Sequence, residues 1–349
     1  MNNHNPRKTG SGRSSGNSGV IIGILIVVLV LINYKLFSMI ITKNPESIHI
    51  NPNNNVKNEQ TEAEKALAAI EKDIANNFIS LSVSEDDTKS GNLILVNNSH
   101  AFSFDASPVM VKNNVAVSFY GRQSDKYIVS YPSRETLMPE ALEALNSMME
   151  DFYANTGLKN VLLVDSYRSF EDQQRIYEEK GGDIATLPGH SEHHTNLAFD
   201  FDIYGGGEFD GSGEYAWISQ NCHKYGYILR YAEDKTAITG ISYEPWHFRY
   251  VGKEHAYFMH ENNLCLEEYV ELLSKYPIGS ARLSFTTDSG ESYTVYSSSV
   301  AGKSGEIKVP KNYSYTLSGD NNGHVIVSYM TSVPDLNTEV QQDTTQVQS

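Results

Sequence analysis

Three histidines, His190, His193 and His194, lie within five residues of one another, and Asp200 and Asp202 follow shortly after. A loop that presents histidine, followed by a strand that presents aspartate, can bring imidazole and carboxylate groups together from one hairpin-like segment. Zinc accepts both kinds of ligand, and a catalytic zinc site has three protein ligands and an open position for water. Two neighbouring ligands are too few, so a third must come from elsewhere in the chain.

Glu244-Pro-Trp-His247 is the obvious source of the third ligand. His247 can complete the site, and Glu244 can act beside it as the general base for the bound water. Pro245 disfavours helical geometry at Glu244, so this pair differs from the helical pair of the zincin motif. Trp246 is expected to pack rather than to take part in the chemistry.

Two other interpretations of these residues stay open. Clustered histidines can form a fortuitous metal-binding patch. Ser191 invites a Ser-His-Asp arrangement, but Gly189-His-Ser-Glu-His193 is not the Gly-x-Ser-x-Gly elbow of serine hydrolases, and no oxyanion loop is evident. Spacing alone therefore does not decide between a metal hydrolase and a chance cluster.

The elements that must position these residues are of both kinds. Hydrophobic periodicity and capping residues predict helices over residues 61–78, 138–153, 169–180, 214–225 and 253–264. Apolar runs predict strands at residues 93–96, 161–164, 197–203 and 247–251. The two kinds are mixed without a regular βαβ rhythm, which favours an α+β fold over a doubly wound sheet.

Composition restricts the partners of the protein. The 349 residues include 27 basic and 43 acidic ones, and a net charge of −16 argues against nucleic acid as a partner. Two cysteines, Cys222 and Cys265, are too few for a disulfide-rich scaffold or a cysteine-rich zinc site. The sequence leaves open whether they pair.

The first 41 residues predict a membrane anchor. Residues 1–18 contain Arg7, Lys8 and Arg13 and no acidic residue, so 24 basic and 43 acidic residues follow, a net charge of −19. As a helix, the apolar stretch in residues 19–41 would extend roughly 33 Å, enough for a hydrocarbon core of about 30 Å. The positive-inside rule places residues 1–18 in the cytoplasm and the rest outside the cell. A cleaved signal peptide is the alternative, but no convincing cleavage site follows Ile32, which favours an uncleaved anchor.

The rest of the chain divides by composition. Residues 42–90 read as an extracellular stalk with a short helix, residues 91–276 as the packed domain, and residues 277–332 as a small β-rich extension. Residues 333–349 are polar and are expected to be a disordered tail.

Three sequence blocks carry a family resemblance. Ser191-Glu-His-His-Thr-Asn-Leu-Ala-Phe-Asp200 resembles the Ser-x-His-x-x-Gly-x-Ala-x-Asp signature of the VanY-type D-alanyl-D-alanine carboxypeptidases, which share the hedgehog/DD-peptidase zinc fold. Segments 165–173 and 241–252 of this chain are similar to the other two sequence blocks of the family. Asn92–Asn97 resembles the family's segment that leads into the domain. The resemblance covers residues 91–276 and implies a mixed or antiparallel sheet with flanking helices.

The resemblance also implies roles for individual residues. His193, Asp200 and His247 would bind Zn²⁺, and Glu244 would activate the zinc water and protonate the leaving amine. Arg168 would stabilise the oxyanion, and Ser191 and Gln173 would hold polar groups of the substrate. The family's glycine is Asn196 here, and Asn is one of the few residues that tolerate a positive φ, so the backbone path is expected to persist.

The function that the resemblance implies is removal of the terminal D-alanine from peptidoglycan stem peptides or from their lipid-linked precursor, outside the cell. An L,D-carboxypeptidase or a D,D-dipeptidase is the alternative within the fold, because the blocks fix the zinc and the base but not the shape of the substrate pocket. A wall-binding module that kept zinc but lost turnover is a third possibility. Retention of Glu244 argues against it, since a structural zinc needs no base.

Overall fold

Helices and strands follow each other irregularly in the protein, which we describe from a computed structural model covering residues 55–112, 115–182, 185–280 and 282–333. The strands are β1 (Phe78–Ser84), β2 (Val117–Ser118), β3 (Ile128–Val129), β4 (Thr136–Leu137), β5 (Val161–Asp165), β6 (Ala198–Ile203), β7 (Tyr227–Leu229), β8 (His247–Tyr250), β9 (Leu283–Thr286), β10 (Ser292–Ser299), β11 (Ser304–Pro310), β12 (Tyr315–Gly319) and β13 (His324–Ser332). The helices are α1 (Asn55–Asn77), α2 (Pro139–Thr156), α3 (Phe170–Lys180), α4 (Ala216–Asn221), α5 (Thr236–Thr239), α6 (Lys253–Glu261) and α7 (Leu266–Ser274).

A five-stranded sheet in the order β3-β5-β6-β8-β7 forms the centre of the domain. β3 and β5 are parallel, whereas the other neighbours are antiparallel. The expected α+β class and the mixed sheet are therefore confirmed. In β6, Phe199 and Phe201 alternate with Asp200 and Asp202, so the apolar side chains enter the core on one face and the carboxylates lie on the other.

Helix α2 covers the apolar face of this sheet. Pro139 stands in its first turn, where a missing N–H costs nothing, and Gly157 ends the helix with φ 74°. The side chains that are buried in the same core cluster as Phe199 recur at helical spacing: Leu142, Leu145, Met149 and Phe152. Full burial of each such side chain stabilises the fold by about 1.5–3 kcal/mol.

A second sheet, in the order β12-β13-β10-β9, is formed by the C-terminal region. Strand β11 lies in the same region but pairs with β1, with Phe78 opposite Pro310 and Ser84 opposite Ser304. Residues 78–84, which the sequence assigns to the stalk, thus hydrogen-bond to a strand of the β-rich extension. Neither β1 nor β11 was predicted, and helix α7 was also missed.

The predicted strand at Leu93–Val96 is wrong. All four side chains are buried, as the apolar run implied, but the segment belongs to no strand. Its backbone groups find other partners, because Arg249 Nη2 donates to the carbonyls of Asn92 and Ile94, and Leu95 N–H donates to the Asp320 carbonyl. Because these backbone groups already have hydrogen-bond partners, the buried segment does not need a neighbouring strand.

The helix predicted within residues 61–78 is longer than expected, since α1 begins at Asn55. The contacts within the chain divide it into one unit that ends at Ala66 and another that begins at Leu67. Of the first unit, the structure describes only residues 55–66, all of which lie in α1. No helix among the described residues is long and apolar enough to span a bilayer. The predicted anchor at residues 19–41 lies outside the described residues, as do the tail at 1–18 and residues 334–349.

Cys222 and Cys265 are both buried and do not form a disulfide. Burial raises the pKa of each thiol to about 12, so both stay protonated and unreactive at neutral pH.

The carboxylate of Asp87 joins separate segments of the fold. Its Oδ2 accepts hydrogen bonds from the N–H and the hydroxyl of Ser84, and its Oδ1 accepts from three consecutive backbone N–H groups. Those groups belong to Val109, Met110 and Val111. Burial alone would raise the pKa of Asp87, but these hydrogen bonds outweigh burial and hold the pKa below its usual value.

We expect Asp87→Asn to lower the free energy of unfolding by about 1–3 kcal/mol, because buried N–H groups lose a charged acceptor. Because the folded state lowers this pKa, the contribution is present above about pH 4 and is lost as the pH falls through the folded-state pKa. Urea denaturation at pH 7 and at lower pH measures both effects. Asp105→Asn, at an exposed site, is the control, and an equal loss in both variants would contradict the role of Asp87.

Candidate metal centre

The register of β6 and β8 places two of the predicted ligands side by side. Asp200 is directly opposite His247 in this antiparallel pair. Residues directly opposite each other project to the same face of a sheet. His247 Nδ1 consequently lies 2.9 Å from Asp200 Oδ1.

His193 reaches the same point from a short 3-10 turn, Glu192–Thr195, that leads into β6. Its Nε2 lies 3.4 Å from Asp200 Oδ2. One ligand atom from each of His193, Asp200 and His247 lies within 4.8 Å of the others. Two ligands about 2.0–2.1 Å from a tetrahedral zinc ion stand roughly 3.3 Å apart, close to the 2.9 and 3.4 Å that separate Asp200 from the two histidines.

Hydrogen bonds on the far sides of the rings decide which nitrogens face the centre. His193 Nδ1 lies 2.8 Å from the Ser166 carbonyl, which can only accept, so this nitrogen carries the proton and Nε2 is free. His247 Nε2 lies 3.4 Å from Glu192 Oε2, which leaves Nδ1 facing Asp200. Each ring can therefore direct a lone pair to the place where the carboxylate directs its own.

Asp200 shows that the centre needs positive charge. Its Oδ1 is buried and makes no hydrogen bond within the described structure, although His247 Nδ1 is close. Burial would raise the pKa of Asp200, but attraction from His193 and His247 outweighs it and holds the pKa well below the usual value. An ionised carboxylate with an unsatisfied buried oxygen, beside two imidazoles, fits the donor set of a divalent cation such as zinc.

The pKa of His247 leads to the same conclusion. Burial of the ring alone would lower it, but Asp200, Glu192 and Glu244 raise it to about 9. A cation that binds through His247 must displace a proton from the ring, since metal ligands must be deprotonated.

Glu244 lies at the edge of this centre, in the turn before β8. Its Oε2 is 3.8 Å from His247 Nδ1, and its backbone N–H donates to the Tyr231 carbonyl. Burial raises the pKa of Glu244 above its usual value. A raised pKa brings a carboxylate closer to the range in which it can take up and return a proton near neutral pH.

Hydrogen bonds from both the backbone and the side chain hold Arg168 beside the centre. Its N–H donates to the His193 carbonyl, its Nη2 donates to Asp165 Oδ2 at 2.5 Å, and its Nη1 donates to Gln173 Oε1 at 2.6 Å. Gln173 is buried and donates in turn to the Thr186 carbonyl. The Nε of Arg168 is buried and makes no hydrogen bond among the described residues, and each Nη keeps a second N–H beyond these bonds, so the guanidinium retains donors for a ligand.

The two remaining signature positions have local contacts. Ser191 accepts a hydrogen bond from the His193 N–H and so caps the turn that carries this ligand. Asn196 has φ 58°, as its replacement of glycine predicts, and its side-chain oxygen accepts a hydrogen bond from Thr136. His194, to which no role was assigned, contacts the Arg168 carbonyl.

Sequence reasoning missed Glu192. It occupies a variable position of the signature, and its side chain is fully buried against Arg230 and Arg249, each at 2.8 Å. The available signal was a charged residue that directly precedes the predicted ligand His193.

The described site lies inside a stretch that matches a family model. The model described as VanY, D-alanyl-D-alanine carboxypeptidase, matches residues 134–253. A D-alanyl-D-alanine carboxypeptidase of Enterococcus faecium is 32% identical over 250 residues, which are 70% of this chain and 77% of that protein. The chain belongs to the VanY family of D-alanyl-D-alanine carboxypeptidases.

Other relatives extend the family likeness. The bifunctional D-Ala-D-Ala dipeptidase and D-Ala-D-Ala carboxypeptidase VanXYC of Enterococcus gallinarum is 41% identical over 136 residues, covering 34% of this chain and 72% of that protein. The crystal structure of the vancomycin-resistance D,D-dipeptidase VanXYg, in complex with a D-Ala-D-Ala phosphinate analogue, superposes with a TM-score of 0.62 and 29% identity. It covers 72% of this chain and 99% of the VanXYg chain. The structural likeness to VanXYg thus extends beyond residues 134–253, which the family model matches.

We expect His247→Ala to abolish stoichiometric zinc binding, because the two remaining ligands bind the ion too weakly to retain it during dialysis. Metal analysis of the purified, dialysed protein measures this, with about one zinc ion per chain expected for the unaltered protein. His190→Ala is the control, since His190 bonds to the Asn97 carbonyl and is not part of the centre. Full zinc content in His247→Ala would show that the ion binds elsewhere.

Proposed function

We propose that this protein is a zinc-dependent D-alanyl-D-alanine carboxypeptidase that removes the terminal D-alanine from peptidoglycan stem peptides. The observation that carries the proposal is the convergence of His193, Asp200 and His247, with Glu244 at their edge, inside the segment that matches the VanY family. The carboxypeptidase of Enterococcus faecium, similar over most of its length, supports the same substrate class.

His193, Asp200 and His247 would hold the zinc ion. When bound, zinc acts as a Lewis acid that polarises the scissile carbonyl and lowers the pKa of a water molecule at the open position. Three protein ligands are the number that a catalytic zinc site uses.

Glu244 moves the proton. Its carboxylate takes a proton from the attacking water and later delivers it to the nitrogen of the leaving D-alanine, so that the leaving group departs as a neutral amine. The burial that raises its pKa favours the protonated form that the second step needs.

Arg168 stabilises the charge that develops on the carbonyl oxygen. Asp165 and Gln173 each accept one hydrogen bond from its Nη atoms and hold the guanidinium in place, and its remaining N–H groups are free to donate. A fixed cation in a site with little water stabilises an oxyanion without reorganising during the reaction. Ser191 and Gln173 border this region and are proposed to bind polar groups of the substrate.

A D,D-dipeptidase is the second candidate, and one observation favours it. The structure of the D,D-dipeptidase VanXYg resembles this chain over 99% of the VanXYg length. VanXYC combines the dipeptidase and carboxypeptidase activities. The two activities differ in whether the substrate continues beyond D-Ala-D-Ala on its amino side, so the length of the accepted peptide separates them.

We also propose a cellular location for the enzyme. Residues 19–41 would anchor it in the cell membrane by a single span, with the basic residues 1–18 in the cytoplasm and the catalytic domain outside. The basic residues within 1–18 and the location of peptidoglycan, or of its lipid-linked precursor, outside the cell support this topology.

We expect Glu244→Ala to retain zinc while kcat falls by about 10²–10⁴, the usual contribution of a general base. Zinc content and D-alanine release, measured on the same preparation, separate the two effects. The exposed Glu233→Ala is the control. An unchanged rate in Glu244→Ala would refute its assigned role, and loss of zinc would make it a ligand.

The substrate class is tested by mass spectrometry of synthetic stem peptides and of free D-Ala-D-Ala. We expect loss of one alanine from the pentapeptide ending in D-Ala-D-Ala, and suppression of that reaction by a chelator with recovery on adding zinc. Cleavage of the tetrapeptide alone would identify an L,D-carboxypeptidase, and cleavage of the free dipeptide alone a D,D-dipeptidase. No cleavage of any peptide by the zinc-loaded protein would favour a wall-binding module.

A further inference from the structure

A buried chain of charged side chains lies behind His247. Glu192 Oε1 accepts hydrogen bonds from Arg230 Nε and Arg249 Nη1, both at 2.8 Å. The other oxygen of the same carboxylate, Oε2, lies 3.4 Å from His247 Nε2. The side chains of Glu192, Arg230 and Arg249 have no exposed surface.

The outer parts of this network tie it to two other elements. Arg230 makes two hydrogen bonds to Glu267 at the start of α7, at 2.6 and 2.9 Å. Arg249 Nη2 donates to the carbonyls of Asn92 and Ile94. Both guanidinium groups are thus held from several directions, and the carboxylate between them has little freedom to turn.

The orientation of Glu192 leaves one oxygen for the imidazole. A carboxylate paired with two buried guanidinium groups stays ionised and can only accept hydrogen bonds. Nε2 of His247 is then the donor, which leaves Nδ1, the nitrogen beside Asp200, as the one that can bind a metal ion. The ring packs against Tyr231, with centroids 4.9 Å apart, which also limits its rotation.

We propose that Glu192 is a positioning residue that holds His247 in the Nε2–H tautomer, so that Nδ1 is the metal-binding atom. The inference rests on the zinc centre of the proposed function and assigns to that centre a partner that orients one ligand. Carboxylates that accept the second N–H of a ligating histidine fix its tautomer and raise its basicity, and their loss typically weakens metal affinity about 10–100-fold.

The chain offers a matched control. Glu267 is the other carboxylate that binds Arg230, but its two oxygens contact Arg230 and Asn97 and not the metal ligands. Replacing either glutamate by glutamine removes one negative charge from the same network. Only the replacement of Glu192 changes the partner of His247.

The first measurement is the zinc dissociation constant of the full-length protein, determined by competition with a chromogenic chelator. We expect Glu192→Gln to raise this constant about 10–100-fold and Glu267→Gln to change it less than about 3-fold. Circular dichroism confirms that both variants fold. Equal effects in the folded variants, or unchanged affinity in Glu192→Gln, would overturn the proposal.

The second measurement needs no variant of the network, and it decides the matter if Glu192→Gln does not fold. Long-range ¹H–¹⁵N NMR spectra of the unaltered, zinc-loaded protein report which nitrogen of each ligating ring carries the proton, with His247→Gln used for assignment. We expect His247 to be protonated at Nε2 and metal-bound at Nδ1, and His193 to show the opposite pattern. Binding of zinc through Nε2 of His247 would overturn the proposal.

The outcomes separate this inference from the proposed function. If the unaltered protein binds no zinc, the proposed metal centre fails, and the role of Glu192 fails with it. If the unaltered protein binds zinc and releases D-alanine but Glu192→Gln binds zinc equally well, only the positioning role is wrong.

Discussion

The carboxylate of Asp200 is held on the middle strand of the central sheet with a buried oxygen that no hydrogen bond satisfies. Two imidazole nitrogens approach it, one from the turn before β6 and one from β8. Acceptor groups that converge in a buried place repel one another unless a cation joins them. The need for that cation explains why the surrounding residues are polar in the interior of the fold.

The sheet meets this need by separating its two faces. Phe199 and Phe201 enter the core under α2, and Asp200 between them faces the other way. The direct pairing of Asp200 with His247 fixes one side of the triangle, and the cap that Ser191 makes fixes the turn of His193. Behind these ligands lies the charged network, so the site is supported by rigid elements on both sides.

Local patterns in the sequence predicted what depends on local structure. The spacing from His193 to Asp200 indicated a turn followed by a strand, and the replacement of glycine by Asn196 indicated a positive φ; both are found. Pairing between distant segments was not predictable. The apolar run Leu93–Val96 indicated a strand, but the side chain of Arg249 binds the carbonyls of Asn92 and Ile94 that a neighbouring strand would bind. Glu192 escaped notice because its partners lie 38 and 57 residues away.

We propose that His193, Asp200 and His247 together bind one zinc ion. Anomalous X-ray diffraction from a crystal of the zinc-loaded enzyme, recorded on both sides of the zinc absorption edge, tests it most directly. We expect a single strong peak within about 2.0–2.2 Å of a nitrogen of each histidine and an oxygen of Asp200. A peak at any other set of side chains, or no peak in this pocket from a fully active crystal preparation, would contradict it.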